Sequence, residues 1–203
     1  MKQALIIMTI GLMLSFSSQA FSTPTTFVTS GDYWQYQTLS FDLRPIWNSV
    51  TYTTFNWNNN NWQDGQAAFG NPYSAGFPYN TYWQAGTDLA LKTEFEITGN
   101  LNSVILNVAS DNGFIVFING VQVAKEWADG YTSYWEYTKT PSTTPFQFGL
   151  NTISVFAEDN GGATFFDLQL GGDVSPIPEP ASVALMGIGF ISMGLLGYYR
   201  RKK

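Results

Sequence analysis

The chain has 203 residues and contains neither cysteine nor histidine. The lack of cysteine excludes a disulfide framework, and the lack of histidine excludes Ser-His and Cys-His catalysis and makes a zinc site unexpected. All fifteen acidic residues lie between positions 21 and 180, where four basic residues oppose them, so this middle region carries a net charge of −11. A surface of that sign repels phosphate groups, and we expect no nucleic acid partner.

The first twenty residues have the pattern of a secretory signal peptide. Lys2 precedes an apolar run from Ala4 to Phe16, and Ser18 and Ala20 are the small residues of a cleavage site. The apolar run is too short to cross a bilayer core as a helix. We therefore expect residues 1–20 to be removed after Ala20 on export. An uncleaved N-terminal anchor is the alternative.

Residues 21–173 are predicted to form one all-β domain, a β-sandwich of the jelly-roll type without helices. Alternating apolar residues indicate strands with one buried face. The stretch 114–118 is apolar on both faces, as in a central strand, and Asn119-Gly120 predicts a type I′ hairpin after it. The predicted strands are 89–97, 104–108, 114–118, 121–123, 152–156 and 164–170.

Two stretches of this region resemble a known module. SDNGFIVFINGVQV, residues 110–123, contains a turn, an apolar strand, Asn-Gly and a short return strand, and it resembles the centre of galactose-binding-like jelly-roll modules. GLNTISVFAEDNGGATFFDLQL, residues 149–170, resembles their closing hairpin. Such modules accompany many carbohydrate-active enzymes. The resemblance therefore implies a fold, while the function has to be argued from a site.

Aromatic residues gather between the predicted strands. Exposed rings of this kind can stack on the C–H faces of sugars while polar neighbours bond the hydroxyl groups. The alternative is that the rings fill the ends of the sandwich, since tryptophan is mostly buried in proteins. The candidate sugar-binding residues are Trp57, Trp62, Trp83, Trp127, Tyr131, Tyr134 and Trp135.

Carboxylates provide the other candidate chemistry. Glu94 and Glu96 lie two positions apart on a predicted strand, where we interpret them as a solvated face and not as a catalytic pair, and we expect no enzymatic activity. Calcium prefers oxygen ligands, so it is the one cofactor we consider. The alternative is that these side chains only form the hydrogen bonds to the backbone that are usual in turns. The candidate calcium ligands are Asp111, Glu158, Asp159 and Asp167.

The C-terminal segment has the physical properties of a membrane-crossing tail. Residues 181–199 carry no charge and would form a helix about 28 Å long, enough to cross a bilayer core. The basic residues 200–203 follow, and such clusters stay on the cytoplasmic side. Pro176, Pro178 and Pro180 hold the preceding stretch extended.

Pro178-Glu179-Pro180, an apolar helix and a basic end containing Arg200 and Arg201 together resemble the PEP-CTERM sorting signal. The same tail is also known as the ice-binding protein C-terminal domain. The resemblance implies that residues 174–203 are a sorting signal that an exosortase recognises and cleaves near Pro178-Glu179-Pro180. A plain C-terminal anchor is the alternative.

The sequence therefore predicts an exported bacterial protein. The precursor would be tethered transiently in the inner membrane by its C-terminal helix, and the mature protein would reach the cell surface or the extracellular matrix. Two functions remain open. The β-sandwich binds exopolysaccharide or another carbohydrate, or the protein is a structural component of the surface or biofilm matrix with no small ligand.

Overall fold

A computed structural model describes residues 21–74, 76–127 and 134–177 of the chain. Ser22–Ser175 forms a compact unit. The described part contains no helix long and apolar enough to cross a membrane. The predicted signal peptide and the predicted helix 181–199 lie outside the described residues, as do Ala20, Pro178, Glu179, Pro180, Arg200 and Arg201.

The described residues form two β-sheets packed face to face, so the predicted β-sandwich is confirmed. The first sheet contains β1 (Thr23–Val28), β4 (Phe69–Gly70), β5 (Thr81–Tyr82), β7 (Asn100–Asp111), β10 (Tyr137–Lys139) and β12 (Phe165–Ser175). The order of these strands across the sheet is β10-β7-β12-β4-β5, and β1 also pairs with β12.

The second sheet contains β2 (Tyr33–Thr38), β3 (Gln63–Gln66), β6 (Leu89–Ile97), β8 (Gly113–Ile118), β9 (Val121–Glu126) and β11 (Gly149–Glu158). The order of these strands across the sheet is β3-β2-β6-β11-β8-β9. All of them are paired antiparallel, whereas the first sheet contains one short parallel pair, β4 with β5.

The strand β8 is apolar on both faces because both faces of the second sheet are covered there. Phe114, Val116 and Ile118 belong to the core between the two sheets. Ile115 and Phe117 point to the opposite face and belong to a separate apolar cluster. The sequence prediction of a strand buried on both sides is confirmed, and the structure identifies what buries its outer face.

The outer face of the second sheet is covered by residues 39–62, which connect β2 to β3 and are called the covering segment here. It contains two short 3₁₀ helices, Arg44–Ser49 and Tyr52–Thr54, which the prediction of a helix-free domain missed. Trp47 and Trp57 of this segment pack with the outward-facing apolar residues of β8 and β11.

Two connections of β8 fix its position. Asn119 (φ 50°) and Gly120 (φ 81°) both have positive φ, which confirms the predicted hairpin to β9. At the other end, Asn112 alone separates β7 from β8, and these strands lie in different sheets. The predicted turn at 110–113 is therefore a corner that takes the chain from one sheet to the other.

Candidate functional site

Several loops meet at one end of the sandwich, which we call the loop end. The strand register places the end of β2 beside the start of β6, because Thr38 pairs with Leu89. The end of β11 lies between the starts of β6 and β8, because Ala157 pairs with both Leu89 and Phe114. Residues that follow or precede these strand ends are therefore close in space although they are far apart in sequence.

A cavity of about 360 Å³, called the acidic pocket here, opens at the loop end. It lies between the start of the covering segment, the loop before β6 and the loop after β11. Four carboxylates and one guanidinium line it, together with small polar groups. The lining residues are Leu39, Ser40, Phe41, Asp42, Arg44, Gly86, Thr87, Asp88, Glu158, Asp159 and Asn160.

Glu158, the last residue of β11, is the most unusual group in this pocket. Its side chain is 1% exposed, and its Oε1 lies 3.3 Å from the Nε of Arg44. Neither of its carboxylate oxygens accepts a hydrogen bond of good geometry within the part of the chain that the structure describes, although the backbone N–H of Gly113 lies near enough to lower the pKa of this carboxyl group. Burial raises the pKa of the Glu158 carboxyl to about 7; the Asp88 carboxylate also raises it and the Arg44 guanidinium lowers it.

Asp88 ties the walls of the acidic pocket together. Its Oδ2 accepts a hydrogen bond from the backbone N–H of Leu43 at 2.6 Å, and its Oδ1 accepts one from the N–H of Asp159 at 3.0 Å. Burial raises the pKa of the Asp88 carboxyl, while these two bonds oppose the shift. Asp88 therefore holds the covering segment and the loop after β11 to the start of β6.

One carboxylate oxygen of Asp159 accepts hydrogen bonds, and the other accepts none from the described residues. Its Oδ2 accepts hydrogen bonds from the backbone N–H groups of Gly86 and Gly161. Its Oδ1 is buried and accepts no hydrogen bond from any described residue. Burial raises the pKa of this carboxyl as well. The acidic pocket thus contains two buried carboxyl groups with unused acceptor capacity.

Arg44 connects the acidic pocket to an exposed aromatic ring. Its guanidinium carbon lies 5.6 Å from the ring centre of Trp127, a residue that is 39% exposed. Trp127 in turn packs edge-on against Trp47, with 5.0 Å between ring centres. Trp127, a predicted sugar-binding residue, is therefore held between Arg44 and Trp47, beside a residue of the pocket lining but outside the lining itself.

The corner between the sheets supports the same site. The backbone N–H of Asn112 donates to the carbonyl of Glu158 at 2.7 Å, and its side-chain Oδ1 accepts from the N–H of Asn160 at 2.8 Å. Burial raises the pKa of the neighbouring Asp111 carboxyl to about 6, and Asp159 and Glu136 contribute. Asp111 is close enough to influence the pocket electrostatically, although it does not line it.

The structure brings two of the four candidate calcium ligands, Glu158 and Asp159, into one pocket and places Asp167 elsewhere. Asp167 is buried, and its Oδ2 accepts hydrogen bonds from the hydroxyl groups of Ser30 at 2.5 Å and Tyr134 at 2.6 Å. It does not line the acidic pocket. No group of three or more acidic residues within the described ranges is arranged to hold a metal ion. The predicted set of Asp111, Glu158, Asp159 and Asp167 is therefore not brought together as a calcium site.

Two of the candidate sugar-binding residues, Trp57 and Trp62, belong to the covering segment. Trp57 is 5% exposed, stacks on Tyr52 at 5.2 Å and packs at 5.0 Å from Phe156. Trp62 is half-buried and lies 6.0 Å from Trp57. The expectation of an exposed sugar platform does not hold for Trp57, because its ring fills the interface between this segment and the sheet.

A second cavity, the sheet groove, lies beside these rings on the outer face of the second sheet. Its volume is about 550 Å³. The Lys92 ammonium group there donates to the carbonyl of Trp57 at 3.0 Å and lies 4.2 Å from the ring centre of Trp62. The groove is lined by Tyr33, Trp34, Gln35, Tyr52, Trp57, Asn58, Asp64, Lys92, Thr93, Glu94 and Thr152.

Trp83 is buried in the fold and does not lie at the surface. It is 1% exposed, and its ring N–H donates to the carbonyl of Thr87 at 2.8 Å. Its own carbonyl accepts from the hydroxyl of Thr164 at 2.9 Å. Trp83 therefore anchors the loop that forms one wall of the acidic pocket, and it does not present a ring to a sugar.

Tyr134 and Trp135, two further predicted sugar-binding residues, do not line the acidic pocket. Tyr134 and Trp135 are half-buried and pack against a small cluster that includes Phe77 and Phe165. Burial and the hydrogen bond to the Asp167 carboxylate raise the pKa of the Tyr134 hydroxyl to about 12. Tyr131 lies outside the described residues.

Sequence analysis did not identify Asp42, Arg44 and Asp88 as site residues. They lie in connections outside the predicted strands, so nothing in the local pattern places them near Glu158. One signal was available. Arg44 is the single arginine in the strongly acidic middle region, and an isolated cation among so many carboxylates is expected to lie beside some of them.

The comparison with protein families concerns the tail. Residues 176–203 match the PEP-CTERM protein-sorting motif. The predicted resemblance of the tail to the PEP-CTERM sorting signal is thereby confirmed. The motif implies recognition by an exosortase, export and sorting to the cell surface. The motif begins directly after β12, whose last residue is Ser175. No curated protein matches the chain.

Solved structures similar to the chain include two β-glucuronidases. The enzyme from Ruminococcus gnavus is 11% identical with a TM-score of 0.47, and the match covers 75% of this chain and 29% of that one. The enzyme from an uncultured Clostridium sp. is 10% identical with a TM-score of 0.47, covering 79% and 30%. This chain thus spans about 30% of the length of these enzymes, and a similarity at this level says nothing of their activity here.

Proposed function

We propose that this protein is an exported PEP-CTERM surface protein that binds carbohydrate in the acidic pocket and has no enzymatic activity. The observation that carries the proposal is the buried Glu158 carboxyl group, which lines an open cavity yet accepts no hydrogen bond from the described residues. Leaving a buried acceptor unpaired is unfavourable by about 1–3 kcal/mol, and more when the group is charged. A ligand that donates hydrogen bonds would remove this penalty.

The surroundings of Glu158 suit a sugar. Sugars present several hydroxyl donors around an apolar ring face, and sites that bind small molecules combine a few polar groups with aromatic surface. The acidic pocket offers acceptors on Glu158 and Asp159 and a donor on Arg44, whose guanidinium carbon lies 5.6 Å from the ring centre of the exposed Trp127. Its volume of about 360 Å³ lies within the range of small-molecule sites.

The lack of enzymatic activity is proposed from how the carboxylates are used. Glycoside hydrolysis requires one carboxyl group as acid and a second as base or nucleophile. Both oxygens of Asp88 and one oxygen of Asp159 already accept backbone hydrogen bonds that hold the loops together. These groups serve the structure of the pocket and are poorly placed to act as a second catalytic carboxylate.

The finer features of the export route belong to the same proposal. The signal peptide 1–20 would be cleaved after Ala20, and the helix 181–199 would tether the precursor in the inner membrane until an exosortase acts near Pro178-Glu179-Pro180. The sandwich would be a jelly roll of the galactose-binding-like type, delivered to the cell surface or matrix. The sorting motif at 176–203 supports this route.

Binding is tested with the full chain, purified in a detergent without a sugar head group. Calorimetric titration with oligosaccharides and with the polysaccharide of the native host should give saturable binding. The isosteric change Glu158→Gln should weaken it about tenfold or more, while Glu96→Gln, which removes the same charge from an exposed position on β6, should not. If the unaltered protein binds none of these ligands, the alternative of a structural matrix protein without a small ligand stands.

A further inference from the structure

We infer that the acidic pocket recognises the protonated amine of an amino sugar, so that its ligand is a polysaccharide containing free 2-amino-2-deoxy sugar residues. This inference rests on the proposed carbohydrate binding and names the chemical class of the ligand. The observation behind it is a deficit of positive charge around two buried carboxyl groups that line the cavity: three of their four oxygens accept no hydrogen bond from the described residues, and Arg44 is their one cationic contact in the pocket lining.

The charge deficit can be read from the lining residues. Asp42, Asp88, Glu158 and Asp159 line the cavity, and Arg44 is the one basic residue among the described residues that do so. The Arg44 guanidinium contacts Glu158 through Nε at 3.3 Å, and its side chain is 44% exposed, so it is partly shared with solvent. One guanidinium cannot neutralise four carboxylates, and a cationic ligand would complete the balance.

A primary ammonium group fits this deficit better than a metal ion. Calcium needs six to eight oxygen ligands, and no cluster of three or more acidic side chains in the described ranges is arranged for it. An ammonium group carries three donors, and the pocket offers three buried oxygens without a hydrogen bond: both on Glu158 and Oδ1 of Asp159.

A sugar amine fits better than the amine of a flexible side chain or polyamine. The cavity is larger than an ammonium group requires, and its wall also presents Ser40, Thr87 and Asn160, which can exchange hydrogen bonds with ring hydroxyls. The partly exposed Trp127 ring lies beside Arg44, within reach of a ligand larger than the cavity. A ring carrying one amine and several hydroxyl groups uses all of these features.

The raised pKa of Glu158 gives this inference a second signature. The carboxyl group is mainly protonated in mildly acidic solution, because burial raises its pKa to about 7. An ammonium group beside it favours the ionised form, so binding an amine that is already protonated should release a proton from the protein. A neutral sugar would accept or donate hydrogen bonds without displacing that proton.

The test compares three tetrasaccharides with the same backbone linkage: the glucosamine tetramer, the N-acetylglucosamine tetramer and cellotetraose. They carry an amine, an acetamide and a hydroxyl group at the same ring position. We titrate each into the full chain in mildly acidic buffer and a detergent without a sugar head group. The glucosamine tetramer should bind at least about tenfold more tightly than the other two. Glu158→Gln should remove this preference, and Glu96→Gln should keep it.

The second measurement needs no variant, so it remains valid if Glu158→Gln folds poorly. Titration in two buffers with different ionisation enthalpies counts the protons exchanged, and the glucosamine tetramer should release up to about one proton on binding. Binding without proton release overturns the inference. So does a trilysine peptide that binds as tightly as the glucosamine tetramer, because the amine would then be recognised without its sugar.

The outcomes separate this inference from the proposed function. If the neutral or acetylated tetramer binds as tightly as the glucosamine tetramer, amine recognition is wrong and carbohydrate binding stands. If none of the three binds but the host polysaccharide does, the inference also fails and the proposed function again stands. If nothing binds, both fail.

Discussion

The acidic pocket and the sheet groove differ both in size and in the chemistry of the groups that line them. The sheet groove is larger, at about 550 Å³ against 360 Å³. The Lys92 ammonium group in the sheet groove already has partners within the protein: it donates to the carbonyl of Trp57 and lies over the ring of Trp62. The smaller pocket contains Glu158, whose oxygens accept no hydrogen bond of good geometry from the described residues. The buried atoms without a partner are ring N–H donors of Trp34 and Trp62 at the sheet groove and carboxylate acceptors at the acidic pocket, and this difference in chemistry separates the two cavities more clearly than their volumes do.

The largest expected effect tests whether the wall of the sheet groove is structural. Trp57→Ala should destabilise the protein by about 3–5 kcal/mol, because the ring is buried against Tyr52 and Phe156. Denaturant titration measures the loss, and oligosaccharide binding to the folded fraction should stay near that of the unaltered protein. A variant of normal stability that no longer binds would move the site to the sheet groove.

The next effect concerns the pH dependence of stability at the acidic pocket. The folded-state pKa of Glu158, about 7, lies above its ordinary value of 4.5, so the folded protein binds more protons between these limits. Ionisation of Glu158 should therefore lower the free energy of unfolding as the pH rises through this window, by up to about 3 kcal/mol. Glu158→Gln should remove that part of the slope, measured as melting temperature against pH, with Glu96→Gln as the matched control. Equal slopes in all three proteins would show that Glu158 is not held in a desolvated site.

Trp127→Ala sharpens the contrast with Trp57. The ring is 39% exposed and packs on Trp47 and Arg44, so its loss should lower the free energy of unfolding by only about 1 kcal/mol. The same change should weaken oligosaccharide binding about tenfold if the ring contacts the ligand. Calorimetric titration and denaturant unfolding of the same preparation separate the two quantities. Full binding by a slightly destabilised variant would exclude Trp127 from the site.

The smallest effect is expected at Arg44. Its guanidinium lowers the pKa of Glu158, so Arg44→Gln should raise that pKa further and steepen the fall in stability as the pH rises toward neutral. The side chain is 44% exposed, and solvent screening should keep the change below about 1 kcal/mol. Melting curves across the same pH series measure it. An unchanged slope would indicate that solvent, and not Arg44, compensates the Glu158 charge.

The fold was predictable where side-chain periodicity was strong. The alternation in β6 and the Asn119-Gly120 hairpin both appear in the structure, because each depends on local chemistry. The double-sided apolar pattern of β8 was also recognised. The covering segment that explains it was not, since residues 39–62 follow no regular period and gain their conformation from packing on a distant sheet.

The site was less predictable than the fold for a related reason. Glu158, Asp159 and Trp127 were recognised singly from their residue types, but the contacts that join Asp88 to Leu43 and Asp159 span 45 and 71 positions of sequence. Only strand register brings such residues together. Ring burial is equally non-local, which is why Trp57 and Trp83 looked like surface groups between strands.

The last strand keeps the chain hydrogen-bonded up to the start of the sorting motif. β12 is paired on both sides, with β1 and β7, and Ser175 still pairs with Asn100 and accepts a hydrogen bond from the Asn102 amide at 2.6 Å. A cut near Pro178-Glu179-Pro180 would fall within five residues of this pairing. The new carboxyl terminus would then be a short stub on a hydrogen-bonded sheet, which leaves an exopeptidase little free chain to grip and should make the released form resistant to trimming outside the cell.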